Sequence, residues 1–163
     1  MKTLLAHFGL RPSDISFEVY TGKVAESGQR IVRGAYRQAR ALKHSQLVPE
    51  HALIAYAKIE SLKFESLLHK LNRDPEVALH AISEGLGQGS HAGDALKVSE
   101  EFRATLAAAL EHARQNGRGR IEAEDVLIGI FANARSDSVT LFEQLGVNHE
   151  TITQQIHEID ANR

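Results

Sequence analysis

Cysteine is absent from this 163-residue sequence. Its absence excludes disulfide bonds, thiolate metal sites and a cysteine nucleophile, and it agrees with a reducing cytosol. Proline and glycine are also scarce, at 3 and 12 residues, which disfavours an all-β fold rich in turns. Because 42% of the residues are apolar and 25% are charged, the chain is too apolar for disorder, and we expect a helical globular domain.

Long hydrophobic runs are missing as well. No stretch approaches the roughly 18 uncharged residues that a membrane helix needs. The N-terminal apolar residues are followed at once by Arg11 and Asp14, without a small-residue cleavage site. We therefore expect a soluble, cytoplasmic protein with no membrane partner. The formal net charge of −2 also disfavours a nucleic-acid partner, since such domains are usually clearly basic.

The strongest pattern in the sequence is an internal repeat with a period of 74 residues. Aligning Glu50 with Glu124 requires no gap from Val24 to Gly85. The matched positions are mostly apolar and recur at steps of three and four residues, as expected for helices that bury one face. The predicted core positions are Leu53, Ile54, Leu67 and Leu71 in the first copy, and Leu127, Ile128, Leu141 and Leu145 in the second.

Each copy is predicted to contain four helices, which makes the fold class all-α with two tandem, pseudo-twofold four-helix repeats. The first helices are expected at 26–42 and 99–115, the second from Pro49 and Glu122, the third at 64–71 and 138–145, and the fourth at 75–82 and 149–159. We divide the chain into an N-terminal extension (1–24, with a short helix near 2–8), repeat 1 (25–85), a Gly-rich linker (86–97) and repeat 2 (98–163), the two repeats forming one domain. The glycines of the linker indicate flexibility.

Over about residues 25–160 the sequence resembles the Clp N-terminal domain family, the double helical repeat at the front of Clp-type AAA+ unfoldases. The resemblance rests on Val48-Pro49-Glu50-His51-Ala52-Leu53 and on Ala123-Glu124-Asp125-Val126-Leu127, which correspond to the family's Gly-Thr-Glu-His-Leu-Leu-like helix start. It implies a non-catalytic protein-binding module of the Clp chaperone and ATP-dependent protease system. Such a module binds adaptor proteins or substrate peptides, or modulates an AAA+ unfoldase.

The resemblance also implies a peptide- or adaptor-binding site at Glu50, His51, Glu124 and Asp125. In some members of the family the equivalent glutamates recognise phosphorylated arginine. The residues alone leave two interpretations open. A carboxylate in the first turn of a helix is stabilised by the helix dipole and can simply cap it. Alternatively, the two glutamates form pseudo-symmetric anionic pockets for guanidinium or ammonium groups.

Four arginines follow one face of the first long helix at steps of three and four residues: Arg30, Arg33, Arg37 and Arg40. They are either a solvated helix face or a docking stripe for an acidic partner, for which the planar guanidinium is well suited. The equivalent positions of the second copy hold Ala104, Ala107, Glu111 and Arg114. Any basic docking surface therefore belongs to the first copy.

No catalytic residue, cofactor or metal site is predicted. The sequence contains no Gly-x-x-x-x-Gly-Lys-Ser/Thr phosphate loop, no Gly-x-Ser-x-Gly elbow and, among nine histidines, no His-Glu-x-x-His. A site assembled across helices, for example from His44 and His51, stays open. Two other functions are also considered: a small helical enzyme with a His/carboxylate cleft between the repeats, and a DNA-associated protein that uses the arginine stripe.

Overall fold

The computed structural model describes residues 22–93, 95–132, 137–144 and 146–161. Within these ranges the chain forms eight α-helices, four in each copy, which confirms the predicted all-α class. The first copy contains α1 (Glu26–Ala41), α2 (Pro49–Ile59), α3 (Ser61–Lys70) and α4 (Pro75–Leu86). The second contains α5 (Glu100–Gln115), α6 (Ala123–Ala132), α7 (Asp137–Gln144) and α8 (His149–Ala161). The predicted helix near residues 2–8 lies outside the described residues.

The ends of equivalent helices have the same backbone geometry in both copies. After α1 the chain turns through Lys43 with φ of 54°, and after α5 it turns through Gly117, 74 residues later, with φ of 70°. Asn72 and Gly146, also 74 residues apart, follow α3 and α7 with φ of 55° and 77°. A left-handed residue just after a helix lets the next backbone N–H groups bond to the last carbonyls. The repeat therefore preserves backbone conformation even where the residue type differs.

A short parallel ladder joins the two copies. Strand β1 (Gln46–Leu47) pairs with β2 (Lys97–Val98), and a single bridge pairs Val24 with Ile121. A shift of 74 residues converts Val24 into Val98 and Leu47 into Ile121, so the two pairings exchange, as a pseudo-twofold axis requires. Both pairings lie between the copies, and within the described residues neither copy contains strand pairing of its own, in agreement with two four-helix units. Two-residue strands are too short to produce a periodic sequence pattern.

The core lies where α2 and α6 pack against each other and against the long helices α1 and α5. Five of the predicted core residues are buried, and Leu71 is half-buried and packs against the core. Those five are Leu53, Ile54, Leu67, Leu127 and Ile128. The side chain of Leu141 and the whole of Leu145 lie outside the described residues. The burial confirms that the apolar repeat marks core-facing helices.

The Gly-rich segment after α4 is bonded to the first copy, and its glycines have structural roles that differ from the predicted flexibility. Gly87 has φ of 62°, a conformation that L side chains rarely adopt. At Gly89, a Cβ atom would collide with the carbonyl oxygen of Lys43. The N–H groups of Gly89 and His91 donate to the carbonyls of Leu42 (2.7 Å) and Lys43 (2.8 Å). These glycines therefore allow close backbone contact with the turn that follows α1.

Candidate functional site

The candidate site is built on the N-terminal turns of α2 and α6, which occupy equivalent places in the two copies. Glu50 and Glu124 are the second residues of these helices, and both are half-buried. Pro49 precedes Glu50 at the first helical position, as predicted, because its fixed φ suits a helix start. Each carboxylate thus lies at the positive end of a helix dipole, which favours a negative charge.

The next residue in each helix is buried and bonded to its own helix start. The Nδ1 atom of His51 accepts the N–H of Val48 at 3.0 Å. In the second copy, Oδ2 of Asp125 accepts the equivalent N–H of Glu122 at 2.8 Å. His51 and Asp125 are both 0% exposed, so both side chains are enclosed by the protein. Of the four predicted site residues, Glu50 and Glu124 are therefore the two with side chains that reach the surface.

The carboxylate of Asp125 is neutralised by a dense local network. Arg118 donates two hydrogen bonds to it, from Nη2 to Oδ1 at 2.8 Å and from Nη1 to Oδ2 at 3.0 Å. The Nδ1 atom of His112 lies 2.6 Å from Oδ1. A buried carboxylate is tolerated when such donors surround it. The network fixes the start of α6 and, with it, the position of Glu124.

In the first copy, the positions equivalent to Arg118 and Asp125 hold His44 and His51. Nδ1 of His44 lies 2.8 Å from Nε2 of His51, so the fold joins the histidine pair that the sequence left open. Burial, together with the neighbouring His44, lowers the pKa of His51 from 6.5 to about 4, while Glu50 opposes this shift. Among the described residues, no group of three or more His, Asp or Glu side chains is arranged to hold a metal ion.

Glu124 is engaged by a cation from the other copy. The Nζ atom of Lys63, on α3, forms a hydrogen-bonded ion pair with Oε1 of Glu124, whose side chain is 14% exposed. Lys63 also lies 3.5 Å from Glu60, and Glu60 lies 3.7 Å from Arg30. The sequence does not predict a role for Lys63, because its partner is 61 residues away and lies on a different repeat. Only the packing of the copies brings the two charges together.

A small cleft beside this ion pair lies between the copies. It is bounded by the two charged side chains and by apolar or aromatic residues from both repeats. The lining consists of Tyr56, Lys63, Leu67, Glu124, Ile156 and Ile159. Its free volume of about 10 Å³ has room for no more than one water molecule, so Lys63 must move before the cationic end of another side chain can enter.

The arginine stripe of α1 is only partly exposed. Arg30, Arg37 and Arg40 are exposed, whereas Arg33 is half-buried and its Nη2 lies 3.5 Å from Oε1 of Gln29. The guanidinium of Arg40 also lies 6.0 Å from the ring centre of Tyr36. The four equivalent second-copy side chains, Ala104, Ala107, Glu111 and Arg114, are exposed. This face of the first copy thus has three exposed arginines, whereas the equivalent face of the second has one, Arg114.

These features define a class of protein: an all-helical domain of two pseudo-twofold copies, each presenting a carboxylate at the start of its second helix. The family profile described as "Clp repeat (R) N-terminal domain" matches residues 23–145. The chain belongs to this family. None of its described helices is long and apolar enough to cross a membrane.

Similar proteins agree with this assignment. The chain is 19% identical over 138 residues to "Negative regulator of genetic competence ClpC/MecB" of Bacillus subtilis, covering 85% of this chain but 17% of that protein. The fold matches the Hsp104 N-terminal domain of Candida albicans with a TM-score of 0.74 at 17% identity, covering 86% and 93% of the two chains. It matches the N-terminal domain of the Escherichia coli ClpV1 ATPase with a TM-score of 0.66 at 17% identity, covering 91% of each. The chain spans about a sixth of the length of the curated relatives it matches.

Proposed function

We propose that this chain is a non-catalytic protein-binding module that works with a Clp-type AAA+ unfoldase. In this proposal it binds cationic segments of adaptor proteins or substrates through Glu50 and Glu124. Membership of the Clp repeat family supports the general role. The specific chemistry rests on the two helix starts of the candidate site.

The observation that carries the proposal is the ion pair between Lys63 and Glu124. An ammonium group from α3 already occupies the carboxylate at the start of α6. The site therefore accepts a cation beside an apolar wall that includes Leu67 and Ile156. A ligand guanidinium would replace Lys63 and form charge-assisted, bidentate hydrogen bonds that a single ammonium cannot reproduce.

The experiment is a titration of the protein with an octapeptide that carries one central arginine or phosphoarginine, followed by NMR. The double substitution Glu50→Gln and Glu124→Gln removes both charges while keeping side-chain size, and should weaken binding at least ~10-fold, about 1.4 kcal/mol. A matched control, Glu65→Gln with Glu143→Gln, changes the net charge equally at exposed positions and should bind normally. Unchanged affinity in a folded double variant would show that the glutamates only cap their helices.

The partnership itself requires a separate test. We expect tagged protein to capture a hexameric AAA+ unfoldase from a lysate of the source cell, and we expect the complex to survive moderate salt. Recovery of nucleic acid in place of an unfoldase, with binding that falls steeply as salt rises, would favour the DNA-associated alternative. The expected cytoplasmic setting stays a prediction, and it rests on the cysteine-free sequence.

The exposed arginines of α1 support a second binding surface. Arg37 and Arg40 follow Arg30 along the same face, and the equivalent face of the second copy is not basic. In this proposal an acidic partner segment binds there, separately from the glutamate site. Replacing Arg37 and Arg40 with Gln should weaken binding of the captured partner, whereas replacing Arg114 should not.

The absence of a phosphate loop from the sequence supports a non-catalytic role for this chain by itself. Isothermal titration calorimetry is therefore expected to detect no micromolar affinity for ATP. A measured affinity of that size would instead favour the enzyme alternative.

A further inference from the structure

A continuous hydrogen-bond chain through two imidazoles connects three segments of the first copy. His51 Nδ1 lies 3.0 Å from the N–H of Val48, at the start of α2. His51 Nε2 lies 2.8 Å from Nδ1 of His44, which follows the turn after α1. His44 Nε2 lies 3.1 Å from the carbonyl oxygen of Gly87, at the end of α4. We call this chain of four groups the histidine relay.

The end groups of the histidine relay fix the proton position on each ring. The backbone N–H of Val48 can only donate, so Nδ1 of His51 must accept and its proton must be on Nε2. That proton is donated to Nδ1 of His44, which leaves the His44 proton on Nε2 to be donated to the Gly87 carbonyl. Both rings are therefore neutral Nε2–H tautomers, and all of their nitrogens have partners.

An added proton cannot be accommodated in this arrangement. Protonation of His44 at Nδ1 places that N–H opposite the Nε2–H of His51. Moving the His51 proton to Nδ1 only transfers the conflict to the N–H of Val48. Burial, and after it the neighbouring His44, independently disfavour the charged ring of His51 and lower its pKa to about 4.

The charged groups around the relay do not remove this conflict. Glu50, on the same helix as His51, raises the pKa of His51 and only partly offsets the burial. Lys43 and His91 line the open cleft beside the relay, together with Ser45 and Ser90, and the cleft lining contains no Asp or Glu among the described residues. Nε2 of His91 is bonded to the carbonyl of Ala95 at 2.9 Å. A proton added to the relay would therefore have Lys43 and His91, and no carboxylate, beside it in the cleft.

The segment that the relay holds is the crossing between the copies. Gly87 presents its carbonyl to His44 from a positive-φ conformation, and the next residues follow the turn after α1. The N–H groups of Gly89 and His91 donate to the carbonyls of Leu42 and Lys43. Loss of the bond from His44 to Gly87 would therefore free one end of this contact.

The second copy has the same construction without the histidine pair. Arg118 and Asp125 replace His44 and His51, and their two hydrogen bonds join a permanent cation to a carboxylate. Oδ2 of Asp125 accepts the N–H of Glu122 as His51 accepts that of Val48. His112 lies against Asp125 through Nδ1, and its Nε2 lies 3.2 Å from Nδ2 of Asn116 and 3.3 Å from Nε2 of His157, away from the helix start. The acceptor of the helix-start N–H is thus an imidazole in the first copy and a carboxylate in the second.

We propose that His44 and His51 form an acid-sensitive latch, which holds residues 87–91 on the turn after α1 at neutral pH and opens more often, as a local fluctuation, in mild acid. The conflict of donors breaks the relay, and the freed segment widens the cleft lined by His44 and His91. The latch gives this helix start of the first copy a pH response that the ion pair between Arg118 and Asp125 does not give at the start of α6.

Two NMR measurements on the intact protein test the latch. Nitrogen-15 spectra at pH 7 should show Nε2 protonated and Nδ1 unprotonated in both His44 and His51. Amide hydrogen exchange, corrected for its intrinsic pH dependence, should show protection at Gly89 and His91 falling at least ~10-fold between pH 7 and pH 5. The amides of Gly117 and Arg118, in the turn after α5, are bonded to the carbonyls of Arg114 and Ala113 and should not change.

A transplanted pair provides the variant test. The double substitution His44→Arg and His51→Asp builds the second copy's ion pair into the first, and it should remove the pH-dependent loss of protection. His91→Gln is the matched control, because His91 lines the same cleft but is not part of the relay, and it should respond like the parent. An Nδ1–H tautomer on either ring, or unchanged protection of Gly89 and His91 at pH 5 in the parent protein, overturns the proposal even if the transplant fails to fold.

Discussion

Residues 74 positions apart often perform the same task with different chemistry. Lys43 adopts the left-handed conformation that glycine provides at position 117, and Asn72 does so opposite Gly146. His51 and Asp125 both accept the first backbone N–H of their helices. The shared backbone geometry preserves the fold, so the side chains at these positions were free to diverge. At these equivalent positions the copies therefore differ in the charge of the side chains and in whether they can titrate.

Lys63 provides the sharpest prediction for a single residue. Its ammonium group is paired with Glu124, and a cationic ligand must displace it before binding there. Lys63→Gln should therefore raise the affinity for an arginine-containing octapeptide about 3- to 10-fold, because one competing charge is removed. NMR titration of the parent and variant proteins measures the change.

A matched control is Lys58→Gln, which removes an exposed lysine from the neighbouring helix α2 and should leave affinity unchanged. Equal affinities for the parent and the Lys63 variant would mean that a ligand does not compete for Glu124. Weaker binding would instead indicate that Lys63 itself contacts the ligand.

The N-terminal caps of the two long helices differ although their backbones coincide. Ser99 caps α5, with its Oγ accepting the N–H of Phe102 at 3.1 Å. The equivalent residue before α1 is Ala25, with φ of −70° and ψ of 166° against −68° and 158° at Ser99, and it provides no side-chain cap. Ala25→Ser should therefore stabilise the protein by about 0.5–1 kcal/mol, and Ser99→Ala should destabilise it by about 1 kcal/mol.

Urea unfolding of the two variants measures both effects. The two substitutions exchange the same atoms at equivalent helix starts, so each serves as the reference for the other. A loss of stability in the Ala25→Ser variant would show that packing around Ala25, where its N–H donates to the carbonyl of Ile121 at 2.8 Å, outweighs the cap.

Periodicity in the sequence predicted the helices but not the contacts between them. The apolar stripe of α1, with Val32, Ala35 and Ala39 buried, follows directly from three- and four-residue spacing. Strand β1 has only two residues, and its partner β2 lies 51 positions later, so no local pattern marks it. The glycines of the linker indicate flexibility in the sequence alone, because only the fold shows that the turn after α1 lies against Gly89.

In the candidate site, too, contacts between the copies cannot be predicted from local sequence patterns. The 74-residue repeat aligns Glu50 with Glu124. It does not indicate that Lys63 forms an ion pair with Glu124 from the other copy. It also could not distinguish surface from buried residues within a first helical turn. His51 and Asp125 are fully buried while the adjacent glutamates are only half-buried.

At the scale of the whole molecule, the two copies are joined by contacts that exchange under the 74-residue shift. The pairings of Val24 with Ile121 and of Leu47 with Val98 are equivalent under that shift, and all four residues are buried. Helices α2 and α6 pack between them at the centre. The apolar core is thus continuous across both copies. Unfolding of one copy would expose the core of the other, so we treat the described domain as one cooperative unit.

The stability of that unit should therefore depend on the protonation of His51. Its pKa is about 4 in the folded protein and 6.5 without the fold, because burial and His44 disfavour the charged ring. Between these two values the unfolded chain binds a proton that the folded protein does not, so acid favours unfolding. Stability should be retained above about pH 7 and fall by about 2 kcal/mol from this residue alone on lowering the pH to 5.

Urea unfolding at pH 7, 6 and 5 measures how the free energy of unfolding changes with pH. His51→Gln is the matched variant, because the glutamine amide can accept the N–H of Val48 and donate to His44 without titrating. Its loss of stability between pH 7 and pH 5 should be smaller than that of the parent by about the same 2 kcal/mol. Parallel slopes for the parent and variant would mean that His51 is protonated in the folded protein as readily as in the unfolded chain.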